Sequence, residues 1–127
     1  VLALIAVAAI IPQYVVLAEG SHLRNSQTAY TAGDGARARS EALAAKAIEP
    51  WAASPYLQLG FVAEAERHYG EAARWANEAI QRSRNDWSLW ASAAKFEAEA
   101  GNIGAARRDL AQARHLNPHS TVLASRK

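Results

Sequence analysis

Residues 53–86 read ASPYLQLGFVAEAERHYGEAARWANEAIQRSRND, and this stretch decides the fold. Ser54-Pro55 has the form of a helix N-cap followed by proline in the first turn, where a missing N–H is no loss. Tyr56, Leu59 and Gly60 then mark one face of a first helix, Tyr69 stands at a turn, and Ala72, Ala76 and Ala79 recur at helical spacing through a second helix. Gly60 lets the partner helix approach closely, Ala72 and Ala79 keep the interhelical distance short, and Tyr56, Trp75 and Ile80 fill the wider gaps. The stretch predicts a helix hairpin.

The hairpin has neighbours of the same length. A 34-residue interval links Ala38, Ala72 and Ala106, links Ala45, Ala79 and Ala113, and places Pro50 and Pro118 on either side of Arg84. The resulting units are 19–52, 53–86 and 87–120, followed by a C-terminal tail at 121–127. The third carries Trp90, Gly101, Ala106, Leu110, Ala113 and Leu116 before Pro118, with Ala93 and Ala94 in place of Leu-Gly. The first keeps Gly33, Ala38, Ala45 and Pro50, but has His22, Asn25 and Ser26 where the aromatic and Leu-Gly would stand, as suits an N-terminal cap. Asp86 is expected to cap a helix, and Gly33-Asp34 and Gly101-Asn102 read as a glycine stop followed by a fresh N-cap. A repeat of this length with these small residues resembles the tetratricopeptide repeat. The resemblance implies an all-α fold of three hairpins in a short right-handed solenoid whose first helices line a concave groove.

Half of the 127 residues are hydrophobic, and alanine, the strongest helix former, dominates them. There is no Cys, which excludes a disulfide framework, a thiolate metal site and a Cys nucleophile. There is no Met, so Val1 is read as the start of a processed product or of the tail of something longer. Fourteen Lys and Arg against twelve Asp and Glu leave a net charge of +2, with the basic residues scattered singly or as short pairs such as Arg107/Arg108. That pattern argues against nucleic acid as a partner, which calls for a concentrated basic face with aromatic platforms.

Residues 1–18, VLALIAVAAIIPQYVVLA, contain no charged side chain. Eighteen helical residues span about 27 Å, close to the hydrocarbon thickness of a bilayer. Three readings are open: a transmembrane anchor, which the abrupt end of the run at Glu19 favours; a signal peptide that has lost its basic start, with small residues placed for cleavage at Val16-Leu17-Ala18; and a helix buried against the solenoid. Pro12 fits the first, because membrane helices tolerate proline where neighbours satisfy the freed carbonyl.

No constellation for chemistry is visible. His115 and His119 are separated by Pro118, which ends a helix near His115, so they do not share a face. Glu64 and His68 stand four apart and are expected to meet as a solvated pair, too few ligands for a closed zinc site. No G-x-S-x-G, phosphate loop or HExxH occurs. The expectation is a chain without catalytic residues, cofactor or metal. The register puts Leu23, Gln27, Tyr30, Leu57, Phe61, Glu64, Ser88 and Lys95 on the groove face, a mixed surface suited to an extended peptide or partner loop. Replacing Lys95 there is expected to be neutral for folding.

The order of parts is itself informative: an apolar segment, a weak first repeat, AIEPWAASPYLQLG, and then RNDWSLWASAAKFEAEAGNIGAARRDLAQARHLNPHS. It resembles the C-terminal tail of bacterial O-antigen ligase or polymerase-family membrane proteins, a last transmembrane helix followed by a small repeat domain outside the cytoplasmic membrane. The resemblance rests on Pro50 to Pro55 and on Asn85-Asp86-Trp87 through Trp90. It implies a non-catalytic appendage of a cell-envelope glycan enzyme, held to the bilayer through residues 1–18. The alternative is a freestanding membrane-anchored or secreted adaptor.

Overall fold

The computed structural model describes residues 20–124. Among them are six α-helices and no strand: α1 (Ser21–Thr31), α2 (Gly35–Ile48), α3 (Ala53–Ala65), α4 (Tyr69–Arg82), α5 (Trp87–Glu99) and α6 (Ile103–Leu116). Helices α1 and α2, α3 and α4, and α5 and α6 pair as hairpins; α2 packs on α3, α4 packs on α5, and α1 also reaches α3. This is an all-α stack of helical repeats. The second helices begin at Gly35, Tyr69 and Ile103 and end at Ile48, Arg82 and Leu116, so the 34-residue interval of the sequence is also the interval of the elements. The apolar helix expected over 1–18 and the last three residues of the tail lie outside the described residues. Among those described, no helix is long and apolar enough to cross a membrane.

The three hairpin turns are built alike. Each has its central residue at positive φ: Gly33 at 80°, Arg67 at 62° and Gly101 at 88°. The following amide reaches back five residues, from Asp34 to the Ala29 carbonyl, from His68 to Ala63 and from Asn102 to Glu97, each at 2.8 Å. Two of the turns meet the left-handed requirement with glycine, and the middle one holds an arginine there at some strain.

Helix capping follows the sequence only in part. Asp34 accepts from the Arg37 N–H at 3.1 Å and Asp86 from the Ser88 N–H at 3.0 Å, as expected. Asn102 does not cap α6 with its side chain; its amide nitrogen is oriented by donation to Glu97 Oε2 at 2.8 Å. Nor does Ser54 cap α3: the helix begins at Ala53, with Ala52 in the capping position and no side-chain bond. Pro55 therefore sits in the first turn, where no helical partner for an N–H exists.

Packing within a hairpin rests on fully buried Ala38, Ala72 and Ala106. Facing Ala72, a side chain on Gly60 would begin 3.3 Å from the Ala72 carbonyl oxygen. In the first hairpin the equivalent residue is Ser26, also fully buried, and its hydroxyl donates to the Ala38 carbonyl at 2.6 Å. The departure from Leu-Gly is thus accommodated by a hydrogen bond. Between hairpins, the Tyr56 hydroxyl donates to the Pro50 carbonyl and the Trp90 indole to the Arg84 carbonyl, both at 2.8 Å. Tyr56 also pairs with Trp75, with ring centroids 6.1 Å apart, and the Arg82 guanidinium lies 3.7 Å over the Tyr56 ring. At the place equivalent to Tyr56 and Trp75, the first hairpin has His22 and Glu41, joined at 2.6 Å.

Helix α3 is the centre of the molecule, buried from Pro55 to Ala63 without interruption. The chain beyond α6 is not a loose tail as far as it is described. Leu123 is buried in the main core, and its carbonyl accepts from Arg114 Nε at 2.8 Å, so this segment covers the last hairpin.

Candidate functional site

The face shared by the first helices α1, α3 and α5 carries the residues that the register assigned to a groove, and the structure divides them. Leu23, Leu57 and Phe61 are core residues, exposed by 3%, 7% and 4%. The Phe61 ring meets Phe96 edge-on, with centroids 5.6 Å apart at 81°. A stack of three hairpins closes over α3 tightly enough that its apolar side chains are consumed by folding and have no surface left for a partner. Ser88 lies at the start of α5, bonded through both its N–H and its hydroxyl to Asp86 Oδ1, where it serves the cap.

Tyr30, Glu64 and Lys95 are brought together. Lys95 Nζ lies 2.5 Å from Glu64 Oε1, with the two side chains only 15% and 14% exposed, and 3.9 Å from Glu99 Oε1. Tyr30 is half-buried beside them, and burial, followed by the charges of Glu64 and Glu99, holds its phenol above the ordinary value. Glu99 is raised from the usual carboxylate range to about 7, chiefly by burial, then by a hydrogen bond to Glu64 and by its charge, against the opposing pull of Lys95. One ammonium is thus shared between two carboxyl groups, with a phenol beside them, across three helices. Gln27, one turn before Tyr30 on α1, borders a shallow depression with Arg24, Thr28 and Thr31. Glu99 was missed from sequence; its signal was the i,i+4 spacing to Lys95.

Glu64 and His68 do not form the expected pair. Helix α3 ends at Ala65, and the left-handed turn at Arg67 carries His68 away from Glu64. His68 Nδ1 instead lies 3.4 Å from Glu66 and 3.5 Å from Glu71. These three residues bring potential ligand atoms within 4.8 Å of one another. Both carboxylates are already engaged by Arg39, whose guanidinium lies 2.7 Å from Glu66 Oε2 and 2.8 Å from Glu71 Oε1, tying the first hairpin to the second. The Arg39 hydrogen bond is also the main reason that the Glu71 carboxyl titrates below its ordinary value. A guanidinium fills this cluster where a cation would otherwise sit.

A cleft bordered by Gly20, His22, Leu23, Ile48 and Pro55 measures about 150 Å³, whereas the open depression at Arg24, Gln27, Thr28 and Thr31 measures about 600 Å³ but is closer to a surface than to a cavity. Pockets that bury drug-sized ligands run from about 300 Å³ upward, so the cleft is too small for such a role. What the fold and its side chains define is a helical-repeat domain with a compact polar cluster on the face of its first helices. No protein-family model matches the chain, and no match is found among curated proteins.

Proposed function

We propose that this chain is a non-catalytic, tetratricopeptide-like interaction domain, tethered to a bilayer through residues 1–18, that receives a protein or peptide partner on the face of α1, α3 and α5. The observation that carries the repeat assignment is the recurrence at 34-residue intervals of whole contacts: the positive-φ turns at Gly33, Arg67 and Gly101, and the aromatic-to-carbonyl bonds of Tyr56 and Trp90. Repeat domains of this kind act by presenting an extended surface rather than an active site. With Leu23, Leu57 and Phe61 withdrawn into the core, recognition falls to Gln27, Tyr30, Glu64, Lys95 and Glu99, a polar set that favours a partner with hydrogen-bonding or charged side chains over an apolar helix.

The sequence resemblance supports placing the domain at the C-terminus of an O-antigen ligase-like enzyme, on the extracytoplasmic face of a bacterial cytoplasmic membrane. In that reading the catalytic residues belong to the parent protein and not to this chain. A freestanding adaptor is the competing reading. The coding sequence upstream of Val1 separates them, since several further apolar spans support the enzyme tail and a start codon followed by a few Lys or Arg supports the adaptor.

The binding role is tested by photo-crosslinking in cells, with a benzophenone amino acid at Gln27 and, as the outer-face control, at Arg74. Crosslinks to a common partner from position 27 and not from 74 are expected. Equal labelling from both positions, or none from 27, overturns the groove assignment. Protease added to intact spheroplasts is expected to cleave the repeats; cleavage only after lysis would put them in the cytoplasm and remove the ligase-tail reading.

A further inference from the structure

The alternation of helices gives the stack two edges. One carries the starts of α1, α3 and α5, the ends of α2, α4 and α6, and the loops 49–52 and 83–86; the other carries the three hairpin turns. Gly20, where the described chain begins, belongs to the first edge and borders the same small cleft as Ile48 and Glu49. On that edge stand the two most exposed large apolar side chains among the described residues, Trp51 at 71% and Ile48 at 59%. The edge is also net basic, since the last turns of α2, α4 and α6 bring Lys46, Arg82 and Arg114 to it beside Arg84, against Glu49 and Asp86.

The uncharged run ends at Ala18 and α1 begins at Ser21, leaving only Glu19 and Gly20 between them. Two residues reach at most about 7 Å even when fully extended. The headgroup layer on each side of a bilayer is about 5–8 Å deep, the difference between a total thickness of about 40–45 Å and a hydrocarbon core of about 30 Å. If the run spans the membrane, the tether is too short to lift this edge clear of the headgroups. A tryptophan and an isoleucine that the fold leaves in water then have a surface to meet, and tryptophan is the side chain most at home in that layer. We propose that the 49–52 edge of the repeat stack seats on the bilayer surface, with Trp51 and Ile48 inserted among the headgroups, so that the domain stands upright and its opposite edge, with the three hairpin turns, faces away from the membrane.

This rests on the membrane-anchor reading of residues 1–18, and the test separates the two. The chain lacks cysteine, so single-cysteine variants can be labelled cleanly. Full-length Trp51→Cys and Ile103→Cys carry an environment-sensitive fluorophore and are reconstituted into phosphatidylcholine vesicles. Ile103, at the start of α6, is a matched control, an exposed apolar residue on the far edge about 20 Å away along a helix of this length. Flotation with the vesicles reports the anchor. The label at 51 is expected to shift to the blue, brighten severalfold and be quenched by lipids brominated near the acyl carbonyl, while the label at 103 behaves as in water. A chain that floats with both labels in water overturns the seating and leaves the anchor standing. A chain that does not float overturns both. A label at 51 already shielded before vesicles are added assigns the patch to a protein contact and overturns the bilayer as its occupant.

Discussion

Gly60→Ala is the substitution on which helix propensity and packing disagree most sharply. In an exposed helix the change would stabilise by about 1 kcal/mol, because alanine loses less backbone entropy than glycine. Here the new methyl would lie 2.9 Å from Phe96 Cε2 and 3.6 Å from Phe96 Cζ, as well as 3.3 Å from the Ala72 carbonyl oxygen. Phe96 cannot yield easily, since it is fully buried with its ring edge-on to Phe61. Adding a methyl to so tight a site costs about 1–3 kcal/mol, so a net loss of about 1 kcal/mol is expected. The equivalent site in the first hairpin shows why the ring is the cause: Ser26 is accepted there, and Val62 occupies the position equivalent to Phe96. Urea melts of residues 19–127, followed by circular dichroism, measure the effect. A double-mutant cycle with Phe96→Leu supplies the decisive comparison, because shortening the ring should turn Gly60→Ala neutral or favourable, a coupling of about 1–2 kcal/mol. If Gly60→Ala stabilises the protein equally in both backgrounds, the close-approach account is wrong.

Arg67→Gly should raise stability by about 1 kcal/mol, since it gives the middle turn the left-handed residue that the other two already have; thermal melts would show a higher Tm, and a lower one would mean that the arginine side chain contributes more than its backbone strain removes. Lys95→Ala should destabilise by about 1–3 kcal/mol rather than be neutral, because a nearly buried Glu64 loses its cation and faces Glu99 alone; an unchanged urea midpoint at pH 8 would refute this. Glu99 titrates near 7 in the folded chain, above its ordinary 4.5, so the folded state binds the extra proton between those values and this group's contribution falls as pH rises through that window. Glu99→Gln should therefore flatten the decline in Tm from pH 5 to pH 8, leaving the smaller part due to Asp109, which is raised to about 6; an unaltered slope would assign the pH dependence elsewhere.

Among the described residues, the sequence alone determined the number, order and nearly the boundaries of the helices, because small residues at a fixed interval allow only close helix pairing and because glycine and proline punctuate it. Gly33 and Gly101 announced their turns, whereas Arg67 at the same place could not be read as left-handed, since nothing local favours arginine there and only the closure of the α3–α4 hairpin holds it. Local capping rules were right for Asp34 and Asp86 and failed for Ser54, which lies inside α3, and for Asn102, whose side chain donates to Glu97 and accepts from no α6 N–H. The face of the first helices was legible in the sequence, but its exposure was not. Periodicity puts Leu57, Phe61, Glu64 and Lys95 on one side of their helices, and it carries no information on how far neighbouring helices close over that side. Tertiary packing decided that Leu57 and Phe61 are core, that Lys95 is shared between Glu64 and Glu99, and that Arg39 takes the carboxylates of Glu66 and Glu71. Helical period is a property of the chain, whereas burial and charge pairing depend on which elements meet, and those meetings join residues as distant in sequence as Arg39 and Glu71 or Phe61 and Phe96.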